Sequence, residues 1–423
     1  MVSELARKMK DSGIEWIGEI PEDWDIIKVK NVFSNSKTIV GDKAENYERL
    51  SLTLNGVLKR SKNANDGLQP EKFEGYQILF KNELVFKLID LENIRTSRVG
   101  YSPYTGLVSP AYITLSNADQ SEFGYYFFLS MWHRNIFNSL AGDGVRSNIG
   151  AKDLLMFPYP LVDKEERKKC VSYLDKKVAQ INSIINQTKQ SIEEYKKYKQ
   201  SLITEVVTKG LDPNVKMKDS GIEWIGEIPE HWEVAFLSQI FSQVKNKNFD
   251  LEETNLLSLS YGKIIQKDIK TTDGLLPVSF NSYNIVEDGD IILRMTDLQN
   301  DHKSLRVGLC TQRGIITSAY ITIRKFVDIS SAFAYYFMHS FDIYKGFYGM
   351  GAGVRQGLNY NGLKRFKFAF PKIQEQLKIV NYLDHKTKAI DNIIIKKEDL
   401  ISELESYKKS LIYEVVTGKK EVS

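Results

Sequence analysis

MKDSGIEWIGEIPEDW runs from Met9 to Trp24, and MKDSGIEWIGEIPEHW runs from Met217 to Trp232, 208 residues further on. Only Asp23 and His231 distinguish the two copies. A repeat of this kind decides the architecture before any local propensity does, and it continues along the chain. DGLQP at Asp66 to Pro70 returns as DGLLP at Asp273 to Pro277, and FKLIDLEN ending at Asn93 returns as LRMTDLQN ending at Asn300. RVG at Arg98 recurs at Arg306, SPAYIT from Ser109 as TSAYIT from Thr317, and YYF at Tyr125 again at Tyr335. GDGVR ending at Arg146 matches GAGVR ending at Arg355, SYLDKK around Leu174 matches NYLDHK around Leu383, and EVVT at Glu205 matches EVVT at Glu414. A period of about 207 to 210 residues is too long for a solenoid and describes a duplicated unit.

Each half reads as a globule followed by a helical tail. The globules, roughly 21–160 and 229–370, hold β-branched and aromatic runs such as YQILF, LVFKLI, AYITL, NIVEDGDIILRM and AYITIRK between Gly, Asn and Asp turns, which predict strands. EFGYYFFLSMWHRNIFNSL and AFAYYFMHSFDIYKGF predict helices. The tails change period. Val171, Leu174, Val178, Ile181, Ile185, Thr188, Ile192, Tyr195 and Leu202 fall three and four apart, which is the spacing of a coiled-coil seam. Val380, Leu383, Thr387, Ile390, Ile394, Ile401, Leu404 and Leu411 repeat it. Lys199, Lys397 and Lys408 interrupt the seams, where a buried stem and an exposed ammonium fit. Each helix should run for about 40 residues, or about 60 Å. If the halves are related by a two-fold axis the helices lie antiparallel, bury each other's seam, and return the C-terminus towards Met9, so that the chain is nearly circular.

Composition is ordinary for a globular chain of 423 residues, 42% hydrophobic and 26% charged. No apolar run reaches the length of a membrane span, and MVSELARKMKDSG lacks the apolar core of a signal peptide, so a cytoplasmic protein without a membrane association is expected. Cys170 and Cys310 have no Cys or His neighbour at ligand spacing, which predicts two ordinary thiols and no metal site. Nucleotide-binding, zinc-protease and methyltransferase loops are absent from the sequence, and His133, His231, His302, His339 and His385 are scattered, so no catalytic residue is assigned. Net charge is +4, yet Lys164 to Lys209 alone carries eleven Lys or Arg against six Asp or Glu. That basic stripe suits a solvated coiled-coil exterior first, and a DNA-facing or partner-facing surface second.

The GEIPxxW stretch that opens each globule (Gly18 to Trp24, Gly226 to Trp232), the SPAYITL-like strand, the Gly-rich loop ending in Arg, and FPKIQEQLKIVNYLD resemble the specificity subunit of Type I restriction-modification systems, HsdS. The resemblance spans nearly the whole chain. One departure is FPYPLVDKEERKKCVSYLD, since only the second half keeps P-x-x-x-E-Q at Pro371, Glu375 and Gln376. The resemblance implies an α+β fold: two mixed α/β target recognition domains joined by a long antiparallel two-helix coiled coil, as a pseudo-two-fold internal repeat. In chain order this gives an N-terminal joint (1–20), recognition domain 1 (21–160), a central spacer helix and linker (161–216), a second joint (217–228), recognition domain 2 (229–370) and a distal spacer helix (371–423).

It also implies a non-catalytic reader of double-stranded DNA. Two methyltransferase subunits would bind it, motor-nuclease subunits would join the complex, and S-adenosylmethionine, ATP and magnesium would belong to those partners. Each domain would read half of an asymmetric split target, with half-sites about one to one and a half turns of DNA apart. A self-contained enzyme and a coiled-coil scaffold whose globules bind proteins are the alternatives.

Base edges are read by Arg, Lys, Asn and Gln on loops and strand ends, while other basic groups hold phosphate. The candidates are Lys59, Arg60, Arg95, Arg98, Arg146 and Asn148 in the first globule. In the second they are Lys263, Lys267, Arg294, His302, Lys303, Arg306, Arg355 and Gln356. Arg146 and Arg355 rank first because each follows a two-glycine loop, although pairing with carboxylates to hold that loop is an equally good reading. Trp16, Trp24, Trp224 and Trp232, beside Ile14, Ile17, Ile222 and Ile225, predict a bent joint that seats each globule on the helices.

Overall fold

The structure, a computed structural model, describes residues 7–35, 37–61, 72–91, 97–140, 148–269, 279–298, 305–350 and 357–422. Two compact units form, one from Met1–Thr188 with Asp399–Ser423 and the other from Lys189–Glu398. Each unit therefore takes one globule and a stretch of both long helices, Lys164–Lys209 and Ile373–Val416. The helices begin at matched positions of the repeat, although DKEER stands where the second half has KIQEQ. The physical replacement is visible. Gln376 donates to the Pro371 carbonyl at 2.7 Å and accepts from the Ser330 amide at 2.9 Å, while buried Arg167 donates to the Val162 carbonyl about one turn back along the chain.

In the first unit Gly56–Arg60, Arg49–Thr53, Gly106–Val108 and Gln77–Leu79 form a four-stranded sheet in that order. Ile113–Leu115, Leu84–Phe86 and Val99–Tyr101 form a three-stranded one, and the helix Ser121–His133 packs beside it. In the second unit Phe241–Val244, Ile321–Lys325, Ile291–Leu293 and Val307–Leu309 form a four-stranded sheet with the helix Ser331–Ile343 beside it. Short pairs surround both. The continuous apolar strands Leu84–Phe86 and Ile291–Leu293 are wholly buried, as runs without polar alternation must be. Two expectations need correction. NIVEDGDIILRM is not one strand but two, Asn284–Val286 and Ile291–Leu293, parted by a turn at Gly289 with φ +86. Each predicted globular helix also breaks, at Asn135 (φ +60) and Lys345 (φ +66), because a left-handed residue ends helical hydrogen bonding.

The seams are where the heptads put them. In the first unit Leu174, Ile181 and Ile185 share one core with Leu411, Ile412, Val415 and Val416, and Ile401 and Leu404 pack on it. In the second, Ile192, Val380, Leu383, Ile390 and Ile394 are buried. Tyr195 lies by Lys397, with the ammonium 5.7 Å from the ring, and Lys199 donates to both Asp391 oxygens at 2.7 Å. Partners descend along one helix as they ascend along the other, so the pairing in this unit is antiparallel. Lys408 reaches Asn182 at 2.9 Å in the first unit. The interrupting lysines thus keep their stems at the seam and place their ammonium groups across it. Among the described residues no helix is long and apolar enough to cross a membrane.

The repeated RVG and the repeated aspartate before it make one device. Arg98 is 1% exposed and Arg306 0% exposed. Arg98 donates to the carbonyls of Lys87, Ile89 and Asp90 at 3.3, 3.1 and 2.7 Å. Arg306 donates to those of Arg294, Thr296 and Asp297 at 3.1, 2.8 and 3.3 Å. Asp90 and Asp297 sit at φ +53 and φ +55, so each guanidinium gathers the carbonyls of a left-handed turn that could not pair within a strand. The glycine that follows serves close packing: a Cβ on Gly100 would lie 2.6 Å from Leu52, and one on Gly308 2.6 Å from Leu259. Arg306→Ala should therefore cost about 3 kcal/mol of stability by orphaning buried carbonyls. Arg306→Lys should recover little, since an ammonium cannot fork among them; urea denaturation with a full recovery by lysine would refute the clamp.

Candidate nucleic-acid interface

The repeated stretch folds alike in both units. Met9–Asp11 pairs with Glu19–Pro21, and Met217–Ile222 with Gly226–Pro229. Asp11 and Asp219 accept the amides of Gly13 and Gly221 at 3.0 and 2.9 Å, turning the chain on glycines at φ +71 and +62. The chain then buries Trp24 (1% exposed) and Trp232 (0%). Their indoles meet Phe123 and Phe333 edge-on at 6.3 and 6.0 Å, and the half-buried Trp16 and Trp224 lie 5.9 and 5.4 Å from Phe127 and Phe337.

Each buried indole N–H donates to a glutamate in the first turn of a long helix, Trp24 to Glu166 at 2.9 Å and Trp232 to Glu375 at 3.0 Å. Carboxylates are favoured at that end of a helix. The other long helix arrives at the same place by its C-terminus. A Cβ on Gly418 (φ +69) would strike Pro21 at 2.3 Å, and Gly210 (φ +76) lies within ordinary contact of Pro229 and Trp232. In the first unit Tyr413 also donates to the Ile17 carbonyl at 2.8 Å, beneath an Arg134 guanidinium 4.0 Å from its ring. The chain's C-terminal turn therefore lies against its N-terminal joint. A third tie recurs from helix to globule, Tyr126 to Asp175 and Tyr336 to Asp384, both at 2.6 Å. Burial and the carboxylate raise both phenols above their usual range.

The single difference within the repeat now has a cause. In the first unit Arg7 bridges Asp23, at 3.0 Å, and Glu166. The second unit has Val215 at the position of Arg7, and His231 itself meets Glu375 at 2.7 Å. Sequence pattern alone did not single out Arg7 or Glu166, and it marked Glu375 only as part of the signature kept by the second half. The signal was the glutamate shared by DKEER and KIQEQ at matched positions of the repeat.

Among the candidate DNA-contacting residues, the structure separates two groups. Arg98 and Arg306 are corrected: both are buried and committed to main-chain carbonyls, so neither is presented to a base. The second group lies on or beside one hairpin in each unit. Lys59 and Arg60 occupy Gly56–Arg60, Lys263 opens Lys263–Gln266, and Lys267 follows it with its side chain exposed. Lys59 pairs with Glu48 at 2.5 Å, which raises its pKa. Asn148 is exposed and accepts the Asp90 amide at 3.1 Å, and Arg294 is half-buried beside the clamp. Arg95, Arg146, His302, Lys303, Arg355 and Gln356 lie outside the described residues.

Cys170 and Cys310 are buried and free, with burial pushing the Cys170 thiol up to about 12. His133 and His339 pack under the helices beside Lys408 and Lys409 and beside Lys199 respectively, and burial first, then those ammonium groups, lowers both to about 4.

Residues 21–194 match the family model described as the Type I restriction modification DNA specificity domain. The chain is 23% identical over 425 residues to the Type I restriction enzyme MjaVIII specificity subunit of Methanocaldococcus jannaschii, covering 95% of this chain and 93% of that protein. Its fold is similar to a chain solved in work on complex assembly and conformational transition of the type I R-M system, with a TM-score of 0.67, 11% identity, and coverage of 94% and 98%. It is also similar to the HsdS subunit from Thermoanaerobacter tengcongensis, with a TM-score of 0.52, 11% identity, and coverage of 95% and 98%.

Arg7→Val should cost about 2 kcal/mol by leaving two facing carboxylates without their cation, and Asp23→His added to it should restore most of the loss. Equal melting of the single and double variants would break the charge-exchange explanation. For the buried histidines the unfolded chain binds protons below about 6.5 while the folded chain does not until about 4. Stability therefore falls as pH drops through that window, by about 1.4 kcal/mol per pH unit for each histidine. The double variant His133→Gln, His339→Gln should flatten that slope in pH-dependent denaturation; an unchanged slope would show that other groups set it.

Proposed function

We propose that the chain is a Type I restriction-modification DNA specificity subunit, in which each of the two units reads one half of an asymmetric bipartite target while the paired helices set the gap. DNA and the methyltransferase and motor-nuclease subunits of such a system are its partners. The observation that carries the finer reading is the contrast between joint and hairpin. The same residue types build both joints, tryptophan on glutamate, glycine on proline, tyrosine on aspartate. The hairpins that offer basic side chains differ: TLNGVLKR turns into SYGKIIQK. A common frame with two unlike reading edges suits two unlike half-sites.

Recognition requires only positioning. The carbonyl clamps of Arg98 and Arg306 stiffen the strand on which each hairpin rests, and donors held on a stiff edge lose less freedom when they meet bases or phosphates. Lys59, Arg60, Lys263 and Lys267 supply cations there, and phosphate contact by such groups makes affinity fall with salt. In this reading the chain itself is non-catalytic and cytoplasmic, and two methyltransferase subunits dock on it. S-adenosylmethionine, ATP and magnesium are used by the partners.

Inserting one heptad near residue 190 and one near residue 399 lengthens both helices by about 10 Å without moving the seam out of register. At 3.4 Å per base pair the preferred gap should widen by about three base pairs with both half-sites unchanged. Selection from a random duplex pool by the complex with its methyltransferase subunit, followed by methylation mapping, reads both quantities. Altered half-sites with an unaltered gap would defeat the spacer reading, and no enrichment of any split motif would favour a protein scaffold.

A further inference from the structure

The hairpin of the second unit ends in a residue that folding alone does not explain. Leu257–Ser260 and Lys263–Gln266 pair with Ser260 opposite Lys263, so Tyr261 and Gly262 form a two-residue turn. Both lie in the left-handed region, at φ +46 and φ +76. That turn ordinarily takes Asn-Gly, because a bulky side chain at the first position is strained there. The Tyr261 ring also gains no burial: it is 78% exposed, the most exposed large hydrophobic side chain among the described residues.

The turn is nevertheless held firmly. Tyr335, from the repeated YYF, donates to the Gly262 carbonyl at 3.3 Å, and a Cβ on Gly262 would lie 3.2 Å from Leu305. Leu259 and Ile264 straddle Gly308, whose strand is anchored by buried Arg306. Lys263 is the next exposed side chain along the strand, and Lys267 follows it. In the first unit the matched position is Leu54, again apolar and 60% exposed, on the hairpin that carries Lys59 and Arg60. Both units thus display an apolar side chain at the tip of a basic hairpin, and they display different ones.

We propose that Tyr261 is a DNA-contacting, specificity-determining residue of the second recognition domain, its ring pressing on a base step of the second half-site while Lys263 and Lys267 hold the flanking phosphates; Leu54 holds the matching place in the first. An apolar or aromatic side chain wedged at a base step is an established way to bend or partly unstack DNA. A ring face also stacks on any base. A strained, exposed, rigidly mounted tyrosine beside two ammonium groups meets that need, and backbone strain at such a position is the recurrent mark of a site kept for binding. The inference rests on the DNA-reading function given above.

The test is Tyr261→Gly in the full chain, alone for stability and with its methyltransferase subunit for DNA. Glycine is at ease at φ +46, so the variant's melting temperature should equal or exceed that of the unchanged protein. Its affinity for the selected duplex should fall about tenfold. A 2-aminopurine scan across the second half-site should lose the fluorescence rise that the unchanged complex produces at one step, and selection of the first half-site should stay the same. Undiminished affinity and an unchanged scan would overturn the proposal while leaving the DNA-reading function intact. Loss of assembly with the methyltransferase subunit in the absence of DNA would overturn it in favour of a protein contact. If the unchanged complex selects no split motif, the DNA-reading function and this inference fall together.

Discussion

A tryptophan N–H donated to a glutamate in the first turn of a long helix is the interaction on which the rest of this molecule depends. It occurs once in each unit, Trp24 to Glu166 and Trp232 to Glu375, and it joins three things at one point. The indole is the buried end of the hairpin that opens the globule. The carboxylate sits where the helix has unpaired amides and partial positive charge. The glycine ending the other long helix closes on the same ring, because no side chain fits between Gly418 and Pro21. A globule attached in this way has a set orientation on its own helix pair, which a flexible linker would not provide.

From that joint outward the structure separates holding from displaying. Two arginines of the repeated RVG are used inside it: Arg98 and Arg306 are nearly inaccessible and satisfy the carbonyls of left-handed aspartate turns. Burying a guanidinium is costly unless its donors are well used, and a turn with several converging carbonyls uses them. The exposed hairpins carry the opposite inventory, with lysines, Arg60, and the apolar tips Leu54 and Tyr261. Rigid support beneath and varied chemistry above is an arrangement in which the exposed side chains of one unit can change without disturbing the frame.

The one unequal position in the repeated stretch shows how tightly the frame is coupled. Asp23 is tolerated because Arg7 stands between it and Glu166, and His231 is tolerated because Val215 leaves Glu375 open to it. In both units a side chain carrying ring or guanidinium nitrogens meets the glutamate that also takes the indole, by different choices of residue. The lysines at the seam follow a similar rule, since Lys199 and Lys408 interrupt the apolar heptads at matched positions and each is answered across the helix pair, by Asp391 and by Asn182.

Much of this was legible in the sequence. Duplication, heptads and strand runs are periodic signals, and periodicity survives without coordinates: Leu174, Ile181, Leu383 and Ile390 were bound to face a partner. The wrapping of the C-terminal turn onto the N-terminal joint also followed, from two-fold logic applied to a repeat. What only tertiary structure decided was the use of each polar side chain. An arginine before Val-Gly looks the same in sequence whether it reaches outward to a phosphate or inward to three carbonyls, because the deciding partners, at Asp90 and Asp297, depend on main-chain dihedrals. In the same way Trp24 is legible as a packing residue, whereas its glutamate lies 142 residues away and is brought there only by the fold. Sequence by itself determined which segments are alike and which faces are apolar, since burial depends on pattern; tertiary structure alone decided which charges hold the frame and which are left exposed, since that depends on where the backbone leaves its carbonyls unpaired.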